Sequence, residues 1–163
     1  MKDKEFWIKG LDLIPHPEGG YYKENYRSMQ KMNVNFKERN LMTSIYFLLT
    51  RDKFSAFHRI KSDELWHFHD GNPIVVHSIN QEGVLKSRIL GKEIENGQQL
   101  QFVVPAGEWF ASEVISGGDY SLVGCTVAPG FDFGDFELAD SSLQNQFPQH
   151  QELIKRLTIK NSI

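Results

Sequence analysis

His58 and Glu64 are the residues whose types and surroundings in this sequence point most directly to chemistry. Side chains alternate across a strand, so in the run 54–61 Phe54, Ala56, His58 and Ile60 share one face, and Ser55, Phe57, Arg59 and Lys61 share the other. The first set is the more apolar, which points His58 inward. In the next run Glu64, Trp66 and Phe68 share a face, a carboxylate beside two aromatic rings. If that face also points inward, the carboxylate must be desolvated, at a cost that only a partner or a ligand offsets. His58 is the expected partner. A buried histidine–glutamate pair fixes the imidazole tautomer and tunes both groups for general acid or base catalysis. The plainer alternative is an ion pair that only holds the fold.

Around this pair, Tyr46, Trp66, Phe68, Trp109 and Phe110 are candidate ligand walls, since small-molecule pockets are mostly apolar with a few polar groups. Core packing explains the same aromatics equally well. His67 and His69 have the opposite parity to Glu64 and should face away from a pocket unless a bulge intervenes. His16, His77 and His150 show no ligand spacing and are expected to be structural or exposed. Cys125, the single cysteine, reads as a small core hydrophobe, and Asp132, Asp135 and Glu137 as a solvated, turn-forming acidic loop.

The elements that must position these residues are mostly strands. A short helix over 3–9, with Phe6 and Trp7 as anchors, is followed by Pro15, Pro17, Gly19 and Gly20, which break regular structure. Residues 21–26 alternate as an edge strand or flap, and the apolar run 41–49 suits a central strand. Strand-like runs follow at 54–61, 64–69, 74–79, 84–90, 99–104, 109–115 and 120–127, each bounded by turn residues. Evenly spaced short strands indicate a sandwich or barrel. Asn96-Gly97 predicts a tight hairpin, and Gly117-Gly118-Asp119 another turn. Helical spacing returns only near the end, where Asp140 caps a turn and Leu153, Ile154 and Leu157 repeat. No repeat or linker divides residues 1–163, so one domain is expected.

With 18 basic against 21 acidic residues and no Lys/Arg cluster, a nucleic-acid partner is not expected. No apolar run approaches the ~20 residues of a membrane span, and the amino terminus lacks a secretory signal. A cytoplasmic location is the default.

The spacing His58-x-Ile60-x3-Glu64-x6-Gly71 resembles the first cupin motif, and Pro105-Ala106-Gly107-Glu108-Trp109-Phe110 the end of the second. The phrases IPHPEGGYY at 14–22, FHRIKSDELWHFH at 57–69 and VAPGFDFGDFELAD at 127–140 resemble an uncharacterised cupin subfamily. The resemblance implies an all-β cupin jelly-roll barrel (a double-stranded β-helix) with short terminal helices, a conserved barrel at about 41–130, and a homodimer. In cupins the positions of His58, Ile60, Glu64 and Phe110 hold metal. Ile60 and Phe110 depart from that pattern, so a metal-free pocket without cofactor is expected. Its ligand would be a small polar organic molecule. Resemblance to metal-free cupin sugar epimerases implies proton abstraction next to a carbonyl, with His58 as base. A non-catalytic binding or sensing module, and a metal-dependent oxygenase or hydrolase, remain alternatives.

Overall fold

A computed structural model describes residues 2–159. Helix α1 (Lys4–Gly10) is capped by Asp3, whose carboxylate accepts from the Phe6 amide at 2.9 Å. Its anchor is Trp7, whose indole N–H donates to Asp70 at 3.0 Å. Phe6, expected to share that role, stays 48% exposed, because a seven-residue helix lying on a sheet buries only one stripe.

The strands follow in chain order: β1 (Ile14–Pro15), β2 (Tyr21–Arg27), β3 (Lys31–Val34), β4 (Lys37–Asn40), β5 (Thr43–Thr50), β6 (Phe54–Arg59), β7 (Asp63–Gly71), β8 (Ile74–Ile79), β9 (Leu85–Leu90), β10 (Gln101–Val104), β11 (Trp109–Val114), β12 (Tyr120–Ala128) and β13 (Glu137–Leu138). They form a six-stranded sheet, β1-β2-β5-β12-β7-β10, and a five-stranded sheet, β13-β6-β11-β8-β9. The chain crosses between sheets at nearly every turn from β5 to β12, the double-wound path of a jelly roll. A two-stranded hairpin, β3-β4, pairs with neither sheet.

The core fills the space between the sheets. Phe47, Leu49, Trp66 and Val123 of the first sheet meet Ile60, Ile74, Val76 and Phe110 of the second. The run Ile45 to Leu49 is continuously apolar because β5 is covered on both sides: Phe47 and Leu49 enter the core, while Leu48 packs outside with Leu13, Tyr120 and Leu122. Helices α2 (Ser142–Gln146) and α3 (Gln151–Arg156) lay Leu143, Ile154 and Leu157 on the outer face of the second sheet, against Phe57, Ile79 and Trp109. No helix among the described residues is long and apolar enough to cross a membrane.

The Asn96-Gly97 expectation needs correction. β9 and β10 belong to different sheets, and Ile94–Asn96 forms a 3-10 turn closed by Gly97 at φ 79°. Positive φ suits the end of a helical turn as well as a tight hairpin, so the dipeptide alone does not choose between them. The two-residue turn with positive φ at both positions is Asn35-Phe36, at 49° and 65°, between β3 and β4.

Two irregularities reset the strand faces. Opposite β11, Phe110 pairs with His58 but Ser112 pairs with Ser55, so β6 carries one extra residue between them. Ser55 therefore joins His58 on the inner side, and Phe54 turns outward to pack beside α3. This reverses the parity expected for residues 54 and 55. In β7, Phe68 pairs with Val123 and Asp70 with Leu122, which leaves His69 as the extra residue.

Candidate functional site

At one end of the barrel the sheets part around a cavity of about 540 Å³. Its floor is made by His58 of β6, Ile60 just after it, Glu64 of β7, and Cys125 and Val127 of β12. The loop 16–20 contributes His16 and Glu18, and the loop after β12 closes the mouth with Phe131, Asp132 and Phe133. Gly19 brings the first loop in: at φ 111° its missing side chain would lie 2.0 Å from the Phe54 carbonyl oxygen. That close approach lets the Ala56 amide donate to the Glu18 carbonyl at 2.8 Å and drives the Glu18 carboxyl beneath β6.

The hydrogen-bond roles around His58 can be assigned. Its Nδ1 lies 2.7 Å from the Ala56 carbonyl oxygen, which can only accept, so Nδ1 carries a proton. A neutral His58 then presents the Nε2 lone pair to Glu18 Oε2, 3.0 Å away. The other Glu18 oxygen accepts from the Ser55 hydroxyl at 2.9 Å. Burial raises the Glu18 carboxyl above its ordinary range and lowers the His58 imidazole below its own. Both directions favour the uncharged arrangement, in which the Glu18 carboxyl donates its proton to His58 Nε2. His16 completes the cluster: its Nδ1 accepts from the Glu18 amide at 3.2 Å, and burial lowers its pKa too.

Glu64 shares the cavity with His58 but reaches it through its charge; among the described residues the ion-pair partner of His58 is Glu18. Burial pushes Glu64 up to about 7, with His58 opposing and Glu18 adding to the rise. The Cys125 thiol, which burial keeps protonated, lines the cavity beside this carboxyl. Cys125 thus lines the cavity as well as the core.

Of the sequence-selected aromatics, Phe110 and Trp66 meet edge to face at 6.4 Å, and Tyr46 and Trp109 lie apart from them. Phe110 stands behind His58, ring centroids 4.1 Å apart, and Trp66 lies deeper in the core, edge-on to Phe47 at 6.0 Å. Phe68 lies further down the inner face, where the Lys92 ammonium sits 5.7 Å from its ring. Tyr46 and Trp109 lie outside the barrel. Alternation that turns Ile45 and Phe47 inward must turn Tyr46 outward, and Trp109 cannot share the inner face with its neighbour Phe110. Tyr46 packs near His69 at 6.0 Å, and Trp109 under the Arg59 guanidinium at 4.6 Å. His67 and His69 also face outward: His67 lies 3.4 Å from the Thr126 hydroxyl, and His69 lies over Gly124, where a side chain would come within 2.6 Å. His77 and His150 are held by structural partners, Ser87 and Glu113 for the first and the Gly83 carbonyl for the second.

Sequence reasoning missed Glu18, His16 and the aromatic mouth. The available signal was His16-Pro17-Glu18-Gly19-Gly20, two ionisable residues beside paired glycines, which read as a chain break and as part of a family phrase but not as a site. The acidic loop is also more than solvated turn: Asp135 holds Arg39 at 2.7 Å, Glu137 holds Arg59 at 2.7 Å, and Asp132 opens onto the cavity.

A family model described as "Cupin superfamily (DUF985)" matches residues 5–139. The chain belongs to this cupin family. It is 34% identical over 143 residues to the uncharacterized protein YML079W of Saccharomyces cerevisiae, with 78% of this chain and 71% of that protein covered. Among solved structures it matches a hypothetical protein from Leishmania major at TM-score 0.93 and 40% identity, covering 98% and 100% of the two chains. Protein SO0799 of Shewanella oneidensis gives 0.91 and 40%, covering 99% and 100%. An oxalate decarboxylase of Bacillus subtilis, at TM-score 0.56 and 17% identity over 90% of this chain and 37% of that one, shares the cupin fold.

Cupins commonly hold a metal, and the donor set of this cavity does not fit one. At the four cupin positions Ile60 and Phe110 offer only carbon, and the Phe110 ring packs tilted against His58. Of the remaining two, His58 commits Nδ1 to Ala56 and Nε2 to Glu18. Among the described residues no group of three or more His, Cys, Asp or Glu side chains is arranged around a metal position.

Proposed function

We propose that this cupin binds a small polar organic molecule in its barrel cavity and moves a proton on that molecule with Glu18, His58 and Glu64, as a sugar-type isomerase or epimerase would. The observation that carries the reading is the Glu18–His58 couple, 3.0 Å apart, buried, and tuned so that one proton sits between two uncharged groups. In its deprotonated form, Glu18 carboxylate beside neutral His58, the couple takes a proton from a ligand carbon next to a carbonyl. The electron pair of that C–H bond forms a carbon–carbon double bond, and the carbonyl oxygen accepts the proton of the Glu64 carboxyl. Return of the couple's proton to that carbon from the other face, or to its neighbour, together with return of an enediol hydroxyl proton to Glu64, gives the epimer or isomer and restores the deprotonated couple and the Glu64 acid. Two carboxyls in different surroundings, one wired to an imidazole and one raised to about 7, are the kind of pair that separates acid from base near neutral pH.

Incubation of the protein with a panel of reducing aldoses and ketoses in heavy water tests this. Deuterium should enter the carbon next to the carbonyl, read by proton NMR, and should fail to enter with His58→Gln. A small molecule retained in native mass spectra without any such exchange would overturn the catalytic step and leave a binding module.

A homodimer is part of the same reading. β1 covers only Tyr21 and Tyr22 of β2, which leaves the rest of that edge open, and the β3–β4 hairpin presents Met32 and a fully exposed Phe36. Sedimentation should give a dimer at micromolar concentration, and a monomer there would remove this part.

A further inference from the structure

The ionic make-up of the cavity restricts what enters it. We infer that the ligand is a hydrogen-bond donor without an anionic group, a neutral polyol or a protonated amine rather than a carboxylate or phosphate; this rests on the cavity being the binding site. Among the described residues the lining carries four carboxyl groups, Glu18, Glu24, Glu64 and Asp132, and one cationic side chain, Arg27.

Arg27 has nothing to spare for an anion. Its Nε and one terminal nitrogen donate to the two Glu24 oxygens at 2.8 and 2.7 Å, the fork-to-fork geometry of the strongest charge-assisted pairs. The remaining terminal nitrogen donates to Asn40 Oδ1 at 2.8 Å, and both terminal nitrogens reach the Phe131 carbonyl at 3.1 Å. Beyond the mouth, Arg39 forks onto Asp135 at 2.7 and 3.0 Å, and the Lys61 ammonium lies 4.0 Å from the same carboxylate.

Several backbone amides, the other common anion binders, are also committed. Around the mouth, Gly130 donates to the Asn40 carbonyl, Phe131 to the Thr43 hydroxyl, and Gly134 to the Asp132 carboxylate. In the loop 16–20, Glu18 donates to His16 Nδ1 and Gly19 to the His16 carbonyl. The polar lining therefore offers acceptors, chiefly the Glu64 and Asp132 carboxyls. Phe131 and Phe133, edge to face at 4.9 Å, add ring faces that suit the C–H face of a sugar or an ammonium group. An anion would meet the Asp132 carboxylate, and Glu64 as it ionises, with no counter-ion released to it.

Four probes on one ring separate charge from shape: glucose, glucosamine, glucuronate and glucose 6-phosphate. Titrated into the protein and read from the NMR shifts of cavity residues, glucose and glucosamine should bind at least ~10-fold more tightly than either anion, a difference of about 1.4 kcal/mol. Glu24→Gln removes a lining charge and releases one of the two Arg27 donors that Glu24 holds, and should strengthen glucuronate binding about 10-fold relative to glucose. An anion that binds wild type as tightly as glucose overturns the inference, and so does silence from both glucose and glucosamine. Binding is read here without turnover, so absence of deuterium exchange, which would sink the catalytic reading, leaves this result standing.

Discussion

Two histidine–glutamate pairs occupy opposite faces of the five-stranded sheet with nearly the same separation, His58–Glu18 at 3.0 Å and His77–Glu113 at 3.1 Å. Their protons are arranged differently. On the outer face Arg156 grips both Glu113 oxygens, one at 2.7 Å, and holds that carboxyl below the ordinary glutamate range. On the inner face the third partner of Glu18 is a neutral Ser55 hydroxyl, and burial lifts the carboxyl instead. Equal distances thus go with a carboxyl shifted toward its charged form in one place and toward its neutral form in the other. What decides is the charge of the third group and the access of water.

The largest effect should come from breaking the inner pair at the imidazole. His58→Gln keeps a donor for the Ala56 carbonyl but removes the Nε2 lone pair, so deuterium exchange should fall ~10²- to 10⁴-fold, the span usual for a lost general base. His77→Gln should leave exchange at the wild-type rate. Equal losses in both variants would mean that the two pairs do not differ in kind.

Glu18→Gln sharpens the comparison. The amide can still donate to His58 Nε2 and accept from Ser55, so the shape persists while the mobile proton is gone. Exchange should fall ~10²-fold, and the pH–rate profile should lose the limb that the couple supplies. A profile that kept both limbs would move the base away from Glu18.

How far the sequence carried this distinction depends on the element. Strand alternation located β5 to β12, turned His58 and Glu64 inward, and put His67 and His69 outside, because a half-covered sheet imposes period two on its side chains. It failed where the period slips: the extra residue in β6 brings Ser55 to the inner face, and nothing local in the run FSAFHR announces it. It failed again at Tyr46 and Trp109, since a strand buried on both sides is apolar at every position and hides which face is which. Glu18 was hidden for another reason. Its place under β6 is set by a long-range contact of an irregular loop, Gly19 against Phe54, and loops carry no periodicity to read.

Glu64 should show its surroundings in stability. Its carboxyl is raised from 4.5 to about 7 in the fold. Below the unfolded value both states are protonated and burial of the group has no pH-linked cost. As pH rises past it, the unfolded chain ionises first, and wild type loses up to about 3 kcal/mol by the time the folded value is passed. Glu64→Gln removes that loss. The variant should melt close to wild type in mild acid and increasingly above it between pH 5 and 7, as read by thermal denaturation across pH. A constant offset at every pH would place Glu64 in water.

The smallest effect belongs to the outer pair. Arg156 is 54% exposed, so its grip on Glu113 is screened by solvent, and Arg156→Met should cost only ~0.2–1 kcal/mol. The sign is opposite to that of Glu64. Glu113 is held low in the fold, so its contribution is complete above the ordinary glutamate pKa and disappears as pH falls through the depressed folded value. Wild type and Arg156→Met should therefore differ by a degree or two at neutral pH and converge in acid. Deuterium exchange should stay at the wild-type rate, because the sheet separates Arg156 from the cavity and its charge is already met by Glu113. A changed exchange rate with unchanged melting would show that the outer face tunes the inner one, and the two pairs would have to be treated as one coupled system.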